Sequence, residues 1–135
     1  MQKNKENSVI DTLLNHKAIS IDTFSVFPPE IDGCACYFSN NNKEFENDKY
    51  IYADDYISKA FISINGVLIQ FILSKTDTLS DDHYIKTYSN KMGEIILDVK
   101  QVGQIDETWQ KAGIITIRLK GSEEIVKNIY GECGC

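Results

Sequence analysis

The clearest structural signal in this chain is the stretch Ala60-Phe61-Ile62-Ser63-Ile64-Asn65-Gly66-Val67-Leu68-Ile69-Gln70-Phe71. A two-residue turn between antiparallel strands needs positive φ at both positions, and asparagine and glycine both tolerate it. The Asn65-Gly66 pair, with an apolar run on each side, therefore predicts a tight β-hairpin. Because both runs are apolar on both faces, we expect these two strands to lie centrally in the sheet.

The same strand character extends over most of the chain. Aliphatic residues recur at every second position in two later segments: Ile95, Leu97 and Val99, then Ile115, Ile117 and Leu119. A period of two directs one face of a strand to the core and the other to solvent. Turn residues recur often enough for about eight strands. We therefore predict a mainly β protein, an antiparallel barrel or sandwich.

The beginning of the chain departs from this pattern. Residues 1–7 are polar and are expected to form a flexible tail, whereas residues 8–135 are expected to form a single β domain. Ser8 has the character of a helix N-cap, and the apolar residues of the next two turns share one helical face. We predict one short N-terminal helix that packs on the sheet and ends near His16.

The charge balance indicates which partners to expect. The chain has 20 Asp and Glu against 14 Lys and Arg, for a net charge of −6, and Arg118 is its single arginine. Nucleic-acid binding depends on neutralising phosphates with Lys and Arg, so no nucleic acid is expected. Opposite charge accelerates association, so we expect a protein partner, and a basic one. No apolar run is long enough to predict a transmembrane span.

The four cysteines form two Cys-x-Cys pairs far apart in the sequence, Cys34 with Cys36 and Cys133 with Cys135. Residues two apart on a strand point to the same face, so each pair offers two sulfurs on one side. Antiparallel pairing of the two segments would set Cys34 near Cys135 and Cys36 near Cys133. We predict one shared site that clamps the end of the β domain to its beginning.

Three chemistries fit this cluster. A disulfide that closes a loop of about 100 residues stabilises by roughly 4–5 kcal/mol, but a second one nested inside it closes almost no further loop. Stability thus explains one disulfide better than two. This leaves open the alternatives of Zn or Cu bound by the four cysteines and of a redox-active thiol pair. Without such a metal no cofactor is expected.

Disulfides are the interpretation we favour, and they indicate a compartment. Because disulfides persist in oxidising environments, we expect the protein in the periplasm or outer cell envelope, with a cytoplasmic protein as the alternative. The polar residues 1–7 would suit a tether that follows a lipid anchor on a removed N-terminus.

No enzyme signature is visible, and tyrosines are the better candidates for a binding surface. Nucleophilic catalysis needs a base, and the chain has only His16 and His83, neither in a known catalytic motif. Tyrosine is frequent at protein interfaces, although it also packs well in half-buried strands. The candidates fall in two pairs, each expected to share a strand face: Tyr50 with Tyr52, and Tyr84 with Tyr88.

Three further motifs stand out: Asp32-Gly33-Cys34-Ala35-Cys36-Tyr37, Tyr50-Ile51-Tyr52-Ala53-Asp54-Asp55-Tyr56 and Tyr130-Gly131-Glu132-Cys133-Gly134-Cys135. They resemble motifs of small envelope lipoproteins of Bacteroidetes-type bacteria. This resemblance covers most of residues 20–135 but implies no activity. The chain is more faintly similar to periplasmic lysozyme inhibitors of the MliC type, whose inhibitory loop carries Ser-Gly-x-x-Tyr. The nearest stretch here, residues 80–84, lacks the glycine, so no inhibitory residue is transferred.

Together these features predict an extracytoplasmic, non-enzymatic domain that binds another protein. An inhibitor or immunity protein against a basic hydrolase or toxin is the most specific form of this prediction. The alternative function is that of a metal-binding or redox protein that uses the four cysteines.

Overall fold

The computed structural model describes residues 18–135, and most of them form a closed antiparallel β-barrel. The elements in chain order are β1 (Ile21–Asp22), β2 (Ala35–Ser39), α1 (Asn42–Glu46), β3 (Tyr52–Asp54), β4 (Lys59–Ile64), β5 (Val67–Ser80), β6 (His83–Asn90), β7 (Gly93–Ile105), β8 (Thr108–Leu119) and β9 (Ile125–Gly134). From β2 to β9 each strand pairs with the next, and β9 pairs back with β2. The predicted β fold is confirmed, as an eight-stranded barrel with one extra strand. The predicted tail and N-terminal helix lie outside the described residues.

The Asn65-Gly66 turn joins β4 to β5 as predicted. Ile64 pairs with Val67, and the two turn residues have φ values of 50° and 81°. The extra strand β1 secures this turn, because Gly66 N–H donates to the Asp22 carboxylate at 2.7 Å. One edge of β4 pairs with β5. Its other edge pairs first with β3, over residues 60–62, and then with β1, over residues 63–64. Both strands of the hairpin are therefore paired on each side, as are all the strands of the closed barrel.

Alternation directs the aliphatic side chains of β7 and β8 into the barrel. Ile95, Leu97 and Val99 pair with β8 along one face, and all are buried, as are Ile115, Ile117 and Leu119. Burying one such side chain contributes about 1.5–3 kcal/mol, so this interior layer is a main source of stability. The predicted core faces of both strands are confirmed.

The connection between β2 and β3 contains α1, which the sequence analysis did not predict. Its N-cap is Asn41, whose side chain accepts a hydrogen bond from the Glu44 N–H at 2.8 Å. Five residues are too few to show a helical repeat of apolar residues. Within residues 18–135 no helix is long and apolar enough to cross a membrane.

The two ends of the barrel differ in their connections. At one end, here called the clamp end, β2 begins, β9 ends, and loops 55–58, 81–82 and 106–107 join neighbouring strands. At the other, the hairpin end, lie the Asn65-Gly66 turn, loops 91–92 and 120–124, and α1. Because all strands are antiparallel, these two groups of connections are on opposite sides of the molecule.

Candidate functional site

The four cysteines form two disulfides at the clamp end, Cys34–Cys135 and Cys36–Cys133. Pairing of β2 with β9 sets Cys36 directly opposite Cys133, with their Cα atoms 4.0 Å apart. The predicted partners are therefore the observed ones. The inner disulfide, Cys36–Cys133, is buried in the barrel, whereas Cys135 of the outer disulfide is exposed.

This pairing leaves no thiolate for the predicted Zn or Cu site. Cysteine binds a metal as the deprotonated thiol, and all four sulfurs are already bonded to one another. Among the described residues no group of three or more His, Cys, Asp or Glu is placed to hold a metal ion. The redox alternative stays a prediction, because a disulfide is the oxidised form of such a pair.

Polar side chains line the barrel interior beside the inner disulfide. Asp54, the last residue of β3, pairs with Cys36 and is only 2% exposed. Its carboxylate accepts hydrogen bonds from the Tyr52 hydroxyl at 2.6 Å, the Tyr88 hydroxyl at 3.4 Å and the Tyr56 N–H at 2.9 Å. Burial raises the pKa of Asp54, although these donors favour its ionised form.

Two lysines face the same part of the interior. Lys86 of β6 and Lys111 of β8 place their Nζ atoms 4.8 and 4.6 Å from the centre of the Tyr84 ring. Cations are attracted to the face of an aromatic ring. Burial, and then the charge of Lys86, lower the pKa of Lys111. The interior of the clamp end thus contains two ammonium groups, one carboxylate and the rings of several tyrosines.

The structure separates the four tyrosines predicted as a binding surface. Three of them, Tyr52, Tyr84 and Tyr88, line the barrel interior. Tyr52 is fully buried, and Tyr88 is almost fully buried. Tyr50 lies outside the barrel, where its ring contacts Phe27, Tyr37 and Phe45. The expectation that Tyr50 and Tyr52 share a strand face is therefore wrong. A bend at Ile51 interrupts the alternation between them.

The cluster around Tyr50 covers the outside of the β2–β9 pair. The Tyr37 hydroxyl donates to Glu132 at 2.7 Å, and these two residues are paired across the strands. Burial, together with the hydrogen bond to Asp48, raises the pKa of Tyr50 to about 12. Aromatic contacts worth about 0.5–1.5 kcal/mol per pair thus support the junction that closes the barrel.

The loops of the clamp end are acidic and expose apolar side chains. Residues 55–58, 80–83 and 105–108 contain no Lys or Arg, but they include Asp55, Asp81, Asp82, Asp106 and Glu107. On or beside these loops Ile57 is 78% exposed, Ile105 64% and Leu79 56%. We call these eight residues the clamp rim. A pocket of about 380 Å³ adjoins it, lined by Asp32, Cys34, Asp55, Tyr56, Ile57 and Cys135.

Sequence reasoning did not identify Asp54, Lys86 or Lys111 as site residues. A signal was present for the first two: Asp54 lies two residues after Tyr52, and Lys86 lies between Tyr84 and Tyr88 at the same spacing. Period-two alternation places such residues on one face. Which of the two faces points inward could not be decided from the spacing alone.

Comparison with known proteins adds no family to this description. The resemblances to envelope lipoproteins and to MliC-type inhibitors stay predictions. No protein-family model matches the chain, and neither a curated protein nor a solved structure matches it significantly.

Proposed function

We propose that this protein is an extracytoplasmic, non-enzymatic domain that binds a basic protein through the clamp rim. The proposal is carried by one observation: five carboxylates and three exposed aliphatic side chains share one end of the barrel, and its loops contain no Lys or Arg. An inhibitor or immunity protein against a basic hydrolase or toxin is the most specific form of this proposal.

The composition of the clamp rim suits such a partner. Exposed apolar groups release free energy when they are removed from water, at about 25 cal/mol per Å², so Ile57 and Ile105 would provide the centre of an interface. The surrounding carboxylates would attract Lys and Arg of the partner and raise the association rate. The disulfides join β2 and β9 at the same end of the barrel, so they help to keep the barrel that carries the rim loops closed.

The proposed location follows from the same disulfides. They are stable in oxidising compartments and rare in the cytosol of mesophiles. We therefore propose that the protein is located in the periplasm or outer cell envelope. The proposal includes a lipid anchor on a removed N-terminal segment.

Quantitative pull-downs from an envelope extract test the proposal with three baits. They are the wild type, a rim variant (Ile57→Ser with Ile105→Ser) and a hairpin-end control (Val67→Ser with Val126→Ser). All four side chains are exposed aliphatics, so neither variant removes core packing. A basic protein should be enriched by the wild type and the control, and at least about tenfold less by the rim variant.

Two further measurements refine the result. Binding should weaken as salt is raised, because screening reduces charge attraction. Egg-white lysozyme, a basic hydrolase, serves as a direct probe of inhibition in a cell-wall lysis assay. Absence of any enriched protein, or equal recovery by the rim variant and the control, contradicts the proposal.

A further inference from the structure

Lys86 and Lys111 form an unusual pair in the barrel interior. Both ammonium groups lie over one aromatic ring, that of Tyr84, so two like charges share a small region. Among residues 18–135 neither has a carboxylate within ion-pair distance. A partly buried cation without a counter-ion is costly, and two close together also repel each other.

Asp54 offsets only part of this positive charge. Its carboxylate attracts both lysines, and it also accepts hydrogen bonds from the Tyr52 and Tyr88 hydroxyls and the Tyr56 N–H. With Asp54 ionised, this part of the interior still carries two positive charges against one negative charge. The excess is opposite in sign to the net charge of the whole chain, which is −6.

The surroundings of the two lysines are aromatic and lie toward the clamp end. Trp109 precedes Lys111 by two residues on β8, so it shares the interior face, and it pairs with Cys133 of the inner disulfide. The pocket of about 380 Å³ at the clamp end is lined in part by Tyr56 and by neither of the two lysines. Flat rings beside paired cations suit a ligand with an acidic group and an aromatic body.

We propose that the barrel interior at the clamp end binds a small aromatic anion, with its acidic group held by Lys86 and Lys111 and its ring system against Tyr84 and Trp109. The four residues of this site, Lys86, Lys111, Tyr84 and Trp109, do not belong to the clamp rim, and its ligand is of opposite charge to the protein partner proposed for the rim. The chain would then combine two binding functions at one end of the barrel.

A matched pair of fluorescent probes tests the site. 8-Anilinonaphthalene-1-sulfonate and N-phenyl-1-naphthylamine have the same rings, but only the first carries a sulfonate. The titrations use salt of about 0.15 M, where a Debye length of about 8 Å screens the rim carboxylates. The wild type should bind the sulfonate probe saturably, with one site per chain, and at least about tenfold more tightly than the neutral probe.

Variants connect this binding to the two lysines. Lys86→Gln with Lys111→Gln should lower affinity for the sulfonate probe at least about tenfold and leave the neutral probe unchanged. Lys86→Arg with Lys111→Arg keeps both charges and should retain affinity. Lys91→Gln with Lys120→Gln, which changes two exposed lysines at the hairpin end, controls for the loss of two charges. Thermal unfolding curves verify that each variant is folded.

Two results overturn this inference. One is the absence of saturable binding of the sulfonate probe to the folded wild type. The other is affinity of the folded double Gln variant within about twofold of the wild type, since removing either ammonium group should weaken sulfonate binding by more than that. Neither result depends on the rim variants. The test of the anion site and the test of the protein interface are therefore independent of each other.

Discussion

Asp54 shows how one residue can set the polarity of a barrel interior. Most side chains inside this barrel are aliphatic or aromatic, yet β3 ends in a carboxylate that is almost completely buried. Tyr52 on the same strand and Tyr88 on β6 turn their hydroxyls toward it. A buried acid is tolerated where such donors are available, but its desolvation still raises its pKa.

Replacing Asp54 by Asn should change how stability depends on pH. The folded-state pKa lies above the ordinary value of 3.8, so the folded protein binds more protons than the unfolded chain between these two pKa values. The contribution of Asp54 to stability is therefore largest at low pH and is lost as pH rises through the folded-state pKa. The Asn variant has no such dependence.

Urea denaturation between about pH 3.5 and pH 7 measures this effect. The free energy of unfolding of the wild type minus that of Asp54→Asn should fall as pH rises and then level off. Asp81→Asn, which removes an exposed carboxylate of the clamp rim, is the control. If this difference instead rises with pH, the folded-state pKa of Asp54 is lowered, and the hydrogen bonds to its carboxylate outweigh the cost of desolvation.

Among the elements, β2 and β9 determine whether the barrel is closed. They share five register pairs, from Ala35 with Gly134 to Ser39 with Tyr130. Gly131 permits their close approach, because a Cβ atom there would clash with the backbone oxygen of Tyr37. The disulfides join the two strands on the interior face, and the Tyr37–Glu132 hydrogen bond joins them on the outside.

The two disulfides should contribute to stability in a strongly non-additive way. Their sequence separations are 101 and 97 residues, so either one alone closes nearly the same loop. Replacing Cys34 and Cys135 by Ala should cost at most about 2 kcal/mol, whereas replacing all four cysteines should cost about 5 kcal/mol or more. Urea denaturation of the two variants against the wild type gives both values.

The reciprocal variant completes this test. Cys36→Ala with Cys133→Ala leaves the outer disulfide and adds a small cavity cost, because the inner disulfide is buried. The losses of the two single-disulfide variants should sum to less than the loss of the four-cysteine variant. If the two losses of unfolding free energy instead sum to the loss of the four-cysteine variant, the disulfides act independently. The explanation that both close nearly the same loop is then wrong.

At the scale of the whole molecule, the barrel holds many tyrosines in their neutral form. Burial is the main cause of raised pKa values at Tyr37, Tyr50, Tyr52, Tyr56, Tyr84 and Tyr88. Above the ordinary value of 10 the folded protein retains protons that the unfolded chain loses. Stability should therefore decrease as pH rises above 10, because unfolding releases protons that the folded protein retains.

An alkaline titration followed by two signals measures this behaviour. The main rise in the ultraviolet absorbance of tyrosinate should accompany the loss of the circular dichroism of the strands, well above the midpoint of a urea-unfolded sample. A tyrosinate signal that titrates with the unfolded midpoint while the circular dichroism stays native is incompatible with buried, neutral tyrosines.

The sequence by itself determined the local features of this protein. The period-two alternation placed the core faces of β7 and β8, and the φ tolerance of Asn65 and Gly66 specified the hairpin turn. The sequence also predicted the partners of the four cysteines. If the two Cys-x-Cys segments lie opposite each other on antiparallel strands, Cys34 must face Cys135 and Cys36 must face Cys133. Each of these features depends on neighbouring residues or on one strand pair.

Only the tertiary structure decided the features that need distant parts of the chain together. Closure into a barrel depends on pairing β9 with β2, and the sequence alone was equally consistent with a sandwich. The interior position of Asp54, Lys86 and Lys111 depends on which strand face the curved sheet turns inward, and Tyr50 leaves that face at the bend of Ile51. The physical reason is that alternation specifies two faces, whereas barrel closure selects the inner one.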